Sequence, residues 1–401
     1  MGPGIPAVLT RSAQWAAVAI GFSVPISVAL DNVLLAVVAA CWLAGGAWRE
    51  TWRCARDNKV ALAALALFAL LLLGSLYGER GPGGAGSYLV KYIDLLFIPV
   101  FAVLLREPGP RRRAVYALAA SLLLVLAISY LIAAGMPAAK PLLGSPGNPV
   151  AFKHYLTHGI LMAFAAFLFA ELALAAATRA PRLWWGAASL AALVNVLFMT
   201  QGRTGYVLTA VLALYFGYAR GRWRGLAIAA VGMAAVFALL SQLPGSFQAR
   251  LGLDAGQASS EAADAARVSS AQRLQMYHTS LEIIREHPIL GIGTGAFPKA
   301  YAERGGGNLL PDLRNPHNEY LLFTVQLGLP GLAALLCLFW LHWRLAPRLA
   351  TPLECHLARG LVLAIAAGCL FNSLLLDHTE GLLYAWLTGV LFAGLQSRSN
   401  G

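Results

Sequence analysis

Of the 401 residues, 59 % are apolar and only 12 % charged, roughly half the share of charge a soluble domain carries, which excludes a water-soluble globular protein. The net charge of +12 would suit a nucleic-acid binder, but the basic residues fall in short clusters between apolar stretches, so no nucleic-acid partner is expected. Five scattered cysteines with no CxxC pair argue against a disulfide framework or a zinc site.

A crossing helix needs about 20 apolar residues, fewer where neighbours shelter its ends. In chain order the expected spans are 13–30, 32–48, 60–77, 88–105, 114–135, 155–178, 183–200, 204–219, 224–243, 318–346, 356–377 and 381–397. The fold class is therefore all-α: a single polytopic transmembrane domain over 1–401 with about 12 helices. The first stretch could be a signal peptide ending near Ser27-Val28-Ala29, but the segments after it need a membrane partner, so it is counted as a span. With the N-terminus inside, the inner loops hold 18 basic residues and the short outer loops only Arg80, Lys140, Lys153 and Arg203, so both termini are expected to be cytoplasmic.

The connection 244–316 breaks this rhythm by being long, polar and on the outer side. Within it Ser269 or Ser270 could cap a helix running to about Glu286, with Leu274, Tyr277, Leu281 and Ile284 along one face, while Ala255 to Ala266 reads as mobile. A second outer connection, Met136 to His154, is rich in Pro and Gly and carries Lys140, Lys153 and His154; it could cover the same region.

The candidates for chemistry follow in chain order. Lys91 and Asp94 sit inside span four at i, i+3, where they could pair with each other; intramembrane charge is otherwise a functional pointer. Gln201-Gly202-Arg203-Thr204-Gly205-Tyr206 sets an arginine between glycines at the outer surface, either snorkelling to headgroups or cradling phosphate. Arg273, in Arg273-Leu274-Gln275-Met276-Tyr277-His278, is a solvated arginine or a second anion ligand, with His278 and His287 as bystanders on its helix. Gly291-Ile292-Gly293-Thr294-Gly295 lacks the strand and Gly-Lys-Ser/Thr of a phosphate loop and reads as a tight turn packed on the bundle. Asn315-Pro316-His317-Asn318-Glu319-Tyr320 puts a histidine where the loop re-enters the membrane, as a structural cap or a general base. Asp377, His378 and Glu380, in the last outer turn, could orient it or an acceptor; His342 and His356 belong to the inner side and read as structural. No Asp-x-Asp, HExxH or carboxylate cluster of the kind that holds a metal beside phosphate is present, so arginines would have to supply countercharge to an anionic substrate.

Two of these motifs resemble a known family. His317-Asn318 followed by Gly328 and Gly331 is similar to the His-Asn-x9-Gly-x-x-Gly pattern of bacterial O-antigen ligases. The run His287-Pro288-Ile289-Leu290-Gly291-Ile292-Gly293 through Phe297 resembles a segment shared by O-antigen ligases, O-antigen polymerases and O-oligosaccharyltransferases. The family's Arg-x-x-x-Leu reads here Arg203 to Val207. The resemblance implies a GT-C-like membrane glycosyltransferase of the bacterial inner membrane, with its active site facing the periplasm. It would move a glycan from undecaprenyl pyrophosphate to a sugar hydroxyl of lipid A–core, with inversion and without metal or cofactor. It further implies that Arg203 and Arg273 hold the pyrophosphate and that His317 is the catalytic base. Lys153, His154, Asn318, Tyr206, Tyr277, Lys91 and Asp377 are weaker candidates for contact with the pyrophosphate or acceptor.

Rival readings are a protein O-oligosaccharyltransferase or a polymerase of the same superfamily, and, from another class, a secondary transporter or flippase. Protein-modifying members tend to carry extra outer chain after the last span, which favours the ligase. A transporter would need buried coupling charges near the midplane, and only Lys91 and Asp94 answer to that.

Overall fold

The computed structural model describes residues 5–80, 83–136, 144–200, 202–242, 260–305 and 315–395, and these are helical with a single isolated bridge, Ser145 to Asn148. Lys140 and the stretches 244–259 and 306–314 of the long connection lie outside them. The helices are α1 Ile5–Ser23, α2 Val28–Ala44, α3 Trp48–Asp57, α4 Lys59–Gly74, α5 Ala85–Tyr92, α6 Asp94–Leu104 and α7 Pro108–Ala133. They continue as α8 Tyr155–Ala175, α9 Arg179–Val194, α10 Arg203–Gln242, α11 Ser260–Glu286, α12 Phe297–Glu303, α13 Glu319–Leu345, α14 Pro352–Gly368 and α15 His378–Phe392.

Each expected apolar stretch contains a helix, but only 6 of the described helices are long and apolar enough to cross a membrane by themselves. Twelve crossings would need the shorter ones to be sheltered by their neighbours. One of the six, Arg203–Leu239, is folded in two. Residues eight apart in a straight helix are separated by about 12 Å. Here a Cβ on Gly217 would lie 2.4 Å from the carbonyl oxygen of Gly225, so the halves run antiparallel, and the turn falls at Arg222 (φ 50°, ψ −129°). Spans eight and nine are thus two arms of one hairpin whose backbones touch at glycines.

Several boundaries differ from expectation. The first helix runs from Ile5 to Ser23 rather than 13–30, because Pro25 removes a backbone donor and the chain turns there. The basic stretch after span two, expected as a loop, is the helix α3, bent 106° from α2 with Trp48 and Trp52 exposed. The loop helix α11 starts at Ser260, well before Ser269, and Ser260 to Ala266 is helical: Ala-rich chain with Glu261 and Asp264 in its first turns favours helix. His287 falls just past its end. Span eleven ends at Gly368, so 369–377 is connection rather than helix.

The core is centred on α15, whose Trp386 is fully buried and donates from Nε1 to Ala17 O at 2.7 Å. The ion pairs of the described residues respect the expected two ends. Arg106–Glu50, Arg111–Glu354 and Arg220–Glu171 lie at the end expected to face inward, with His342 and His356. Lys299–Glu79, Arg304–Glu286, His278–Glu282 and His378–Asp31 lie at the opposite end, the one expected to face outward. None joins one end to the other.

Candidate active site

The histidine turn, at the end expected to face outward, is built from three consecutive residues tied to the connection after α14. His317 takes a left-handed backbone (φ 51°), and its N–H donates to Asn315 Oδ1 at 2.9 Å. That conformation is uncommon outside glycine and persists where surroundings enforce it. Asn318 caps α13, accepting from Leu321 N at 3.1 Å, while its Nδ2 donates to Leu370 O at 3.1 Å. Glu319 is fully buried: its N–H donates to Cys369 O, and its carboxylate accepts from Tyr92 OH at 2.5 Å and Leu375 N at 2.9 Å. The turn therefore cannot move without 369–375.

That connection supplies the partner of the imidazole. His317 Nδ1 lies 2.9 Å from Asn372 Oδ1, and Asn372 Nδ2 donates to Asp377 Oδ2 at 2.9 Å. An amide oxygen only accepts, so Nδ1 must carry the proton. The other ring nitrogen, Nε2, then keeps its lone pair and has no hydrogen-bond partner among the described residues. Burial pushes the Asp377 carboxyl up, and the Lys91 charge, the nearby His317 ring and the Asn372 hydrogen bond pull it back down. The expected pairing of Lys91 with Asp94 does not form. The helix is interrupted at Ile93 between α5 and α6, and Lys91 acts on Asp377 while Asp94 is buried and interacts with His378 and Asp31.

Arg203 and Arg273 reach this end by different routes. Arg203 opens α10, whose Gly202 and Gly205 pack on the start of α8 at Tyr155 and Gly159. Arg273 sits one turn before Tyr277 on α11, and the Tyr277 hydroxyl lies 3.4 Å from His317 O and 3.2 Å from Leu370 O. Neither arginine has a hydrogen bond or ion pair among the described residues. Tyr277 is thus a tie between the arginine helix and the histidine turn rather than a free hydroxyl. Tyr206 likewise donates its OH to Thr200 O at 3.2 Å.

Lys153 and His154 part company. His154 is exposed against Tyr155, whereas the left-handed Phe152 (φ 62°) precedes a Lys153 that is only 7 % exposed. Burial pushes the Lys153 ammonium down, and Asp31 and Glu380 pull it back up. Its nitrogen has no hydrogen-bond partner and does not open to the surface. The preceding loop is held by a buried chain. Ala151 N–H donates to His158 Nδ1, Nε2–H donates to Asn195 Oδ1 at the π-helical turn Asn195–Met199, and Asn195 Nδ2 donates to Ser129. Among the described residues no three His, Cys, Asp or Glu side chains gather as metal ligands.

The two glycine-bearing motifs dock on each other. Gly328 (φ 65°) opens α13, which frees Val325 O and Gln326 O to accept from Ile292 N and Gly293 N, both at 2.9 Å. Leu329 N–H returns a bond to Pro288 O, and a Cβ on Gly328 would lie 2.2 Å from Ile289 O. Thr294 N–H donates to Gly74 O, so the segment is also clamped to α4. The tight-turn reading holds, and the turn fixes where α11 ends relative to His317.

Residues 188–336 match the family model described as O-antigen ligase. The match takes in 149 of the 401 residues. The chain is a multi-pass membrane protein by its apolar helices, and its segment 188–336 is similar to O-antigen ligases. The matched segment takes in Arg203, Arg273, the docked glycine turn and His317, while Asn372 and Asp377 lie beyond it. No curated protein matches the chain. Sequence reasoning missed Asn372 as the partner of His317 and gave Glu319, though within the motif, no role of its own. The signal available was Asn372-Ser373, a polar pair in the middle of a stretch counted as span.

Proposed function

We propose that the protein is an O-antigen ligase that transfers a glycan from undecaprenyl pyrophosphate to a sugar hydroxyl of lipid A–core. The active site would face the periplasm from the inner membrane, both termini would be cytoplasmic, and the twelve helices with the 244–316 segment would act as one unit. The observation that carries this reading is the His317–Asn372–Asp377 chain, which leaves Nε2 as an acceptor at the same end as two arginines with no partner among the described residues.

In the proposed reaction the acceptor hydroxyl attacks the anomeric carbon from the face opposite the pyrophosphate. The new C–O bond forms as the old one breaks, and its electron pair leaves with the pyrophosphate. His317 Nε2 takes the hydroxyl proton as the bond forms, since that hydroxyl is far less acidic than imidazolium. Arg203 and Arg273 offset the charge growing on the leaving group. Inversion follows from the single displacement, and no metal is required. The buried charges Asp31, Lys153 and Glu380 sit at outer helix ends rather than at the midplane, which speaks against a coupled transporter.

The test is transfer by purified protein in detergent with EDTA present, supplying undecaprenyl-pyrophosphate glycan and lipid A–core, wild type against His317→Ala. Product from wild type that is lost in a folded variant supports the reading. Product only with a protein or a second glycan as acceptor would assign the chain to the superfamily's other activities. Full activity in the variant removes His317 from the mechanism.

A further inference from the structure

A polar cavity lies at the opposite end of the bundle, the one expected to face inward, away from His317. It has a volume of about 620 Å³ and is lined by Arg11, Gln14 and Trp15 of α1 and by Glu107, Pro108 and Arg113 at the start of α7. The neighbouring charges at this end are already spoken for: Arg106 pairs with Glu50 at 2.8 Å and Arg111 with Glu354 at 2.5 Å. Arg11, Arg113 and Glu107 make no ion pair or hydrogen bond through their side chains among the described residues. The Arg113 guanidinium instead lies 5.3 Å from the Trp15 ring centre, and Trp15 is 54 % exposed on the outer surface of α1. The Gln14 amide is committed to Leu104 O at 2.9 Å.

We infer that this cavity binds the headgroup of an ethanolamine phospholipid. Two unpaired guanidiniums suit a phosphate diester, which they can grip through several charge-assisted bonds. Glu107 would repel a simple anion, but it suits the primary ammonium that ethanolamine carries beside its phosphate. Trp15 presents an apolar ring with a polar edge at the membrane boundary, the place where indoles concentrate and where acyl chains begin. The headgroup chemistry alone would equally describe a soluble phosphoethanolamine; the exposed indole favours the lipid.

The experiment is native mass spectrometry of the full-length protein in detergent with equimolar phosphatidylethanolamine, phosphatidylglycerol and phosphatidylcholine. Wild type is expected to retain phosphatidylethanolamine preferentially. Joint replacement Arg11→Ala with Arg113→Ala is expected to weaken retention roughly twenty-five-fold, at about fivefold for each arginine near a membrane surface. Glu107→Gln, an exposed side chain without a partner, should keep phosphatidylglycerol and lose the preference for ethanolamine over choline. Arg49→Ala, which removes a similar Arg–Trp stack at Trp48 without a cavity, should change nothing. Equal retention of the three lipids by wild type, or no change in the arginine double variant, overturns the proposal. Displacement of the lipid by an equal concentration of glycerophosphoethanolamine would overturn the lipid assignment in favour of a soluble ligand.

Discussion

His317 and Asn372 stand 55 residues apart in the chain, and their side chains meet at 2.9 Å. The contact fixes the tautomer of the imidazole, because Asn372 has already turned its NH₂ toward Asp377 and can offer only its oxygen. Asn372→Leu removes that constraint while preserving volume. Transfer is expected to fall by about 10²-fold, toward the value for His317→Ala, which should lose roughly 10²- to 10⁴-fold. Single-turnover rates with saturating donor measure this. An Asn372→Leu variant as fast as wild type would refute the positioning role.

Asp377→Asn separates charge from geometry, since an amide oxygen can still accept from Asn372 Nδ2. Burial raises the Asp377 carboxyl above its ordinary range, so the folded state binds this proton more tightly than the unfolded chain does. Ionised Asp377 therefore costs stability that is fully regained below the unfolded pKa and lost as pH rises through the raised folded pKa. The variant is expected to melt higher than wild type at pH 8 and equally at pH 4, yet to transfer roughly tenfold or more slowly, because imidazolium loses a nearby countercharge. Melting curves at the two pH values, with rates at pH 7.5, decide it. A lower melting temperature at pH 8 would contradict the assignment.

Arg203→Ala and Arg273→Ala remove side chains that bond to nothing in the described protein. Each should shift stability by less than about 0.5 kcal/mol, as surface changes do. Donor affinity should fall tenfold or more for each, the value of one charged hydrogen bond, about 1.5–3 kcal/mol. Binding of a fluorescent polyprenyl pyrophosphate against a thermal melt separates the two readouts. Loss of stability with donor affinity intact would show that the arginines are structural.

Gly328→Ala sets a Cβ 2.2 Å from Ile289 O at a positive φ, so both strain and clash act against it. A loss of more than about 3 kcal/mol is expected, or no folded protein at all. Gly46→Ala has the same sign of φ (70°) but nothing within 4 Å, and should cost only about 1 kcal/mol. Comparing melting temperatures of the two in one detergent tests the docking of the two glycine motifs. Equal losses would mean that the contact adds nothing.

Tyr277→Phe should leave the fold intact and loosen Arg273 from the histidine turn, because the hydroxyl is the tie to His317 O and Leu370 O. A rise in KM for donor of severalfold with a smaller change in kcat is expected. An unchanged KM would detach α11 from donor binding.

Composition and spacing were enough to read the solvent and the helical class, because lipid imposes long apolar runs that any single chain displays. His317, Arg203 and Arg273 stood out as candidates, as polar residues at expected membrane boundaries and in glycine-marked motifs. Tertiary structure decided what those residues touch. Asn372 was hidden inside an apparently apolar span, Lys91 made no ion pair with Asp94, and Lys153 turned inward behind a left-handed Phe152. Local periodicity carries no information on a bond across 55 residues or on a break after Tyr92. Those depend on which helices pack side by side, and on backbone groups freed at Gly328 and satisfied by a distant turn.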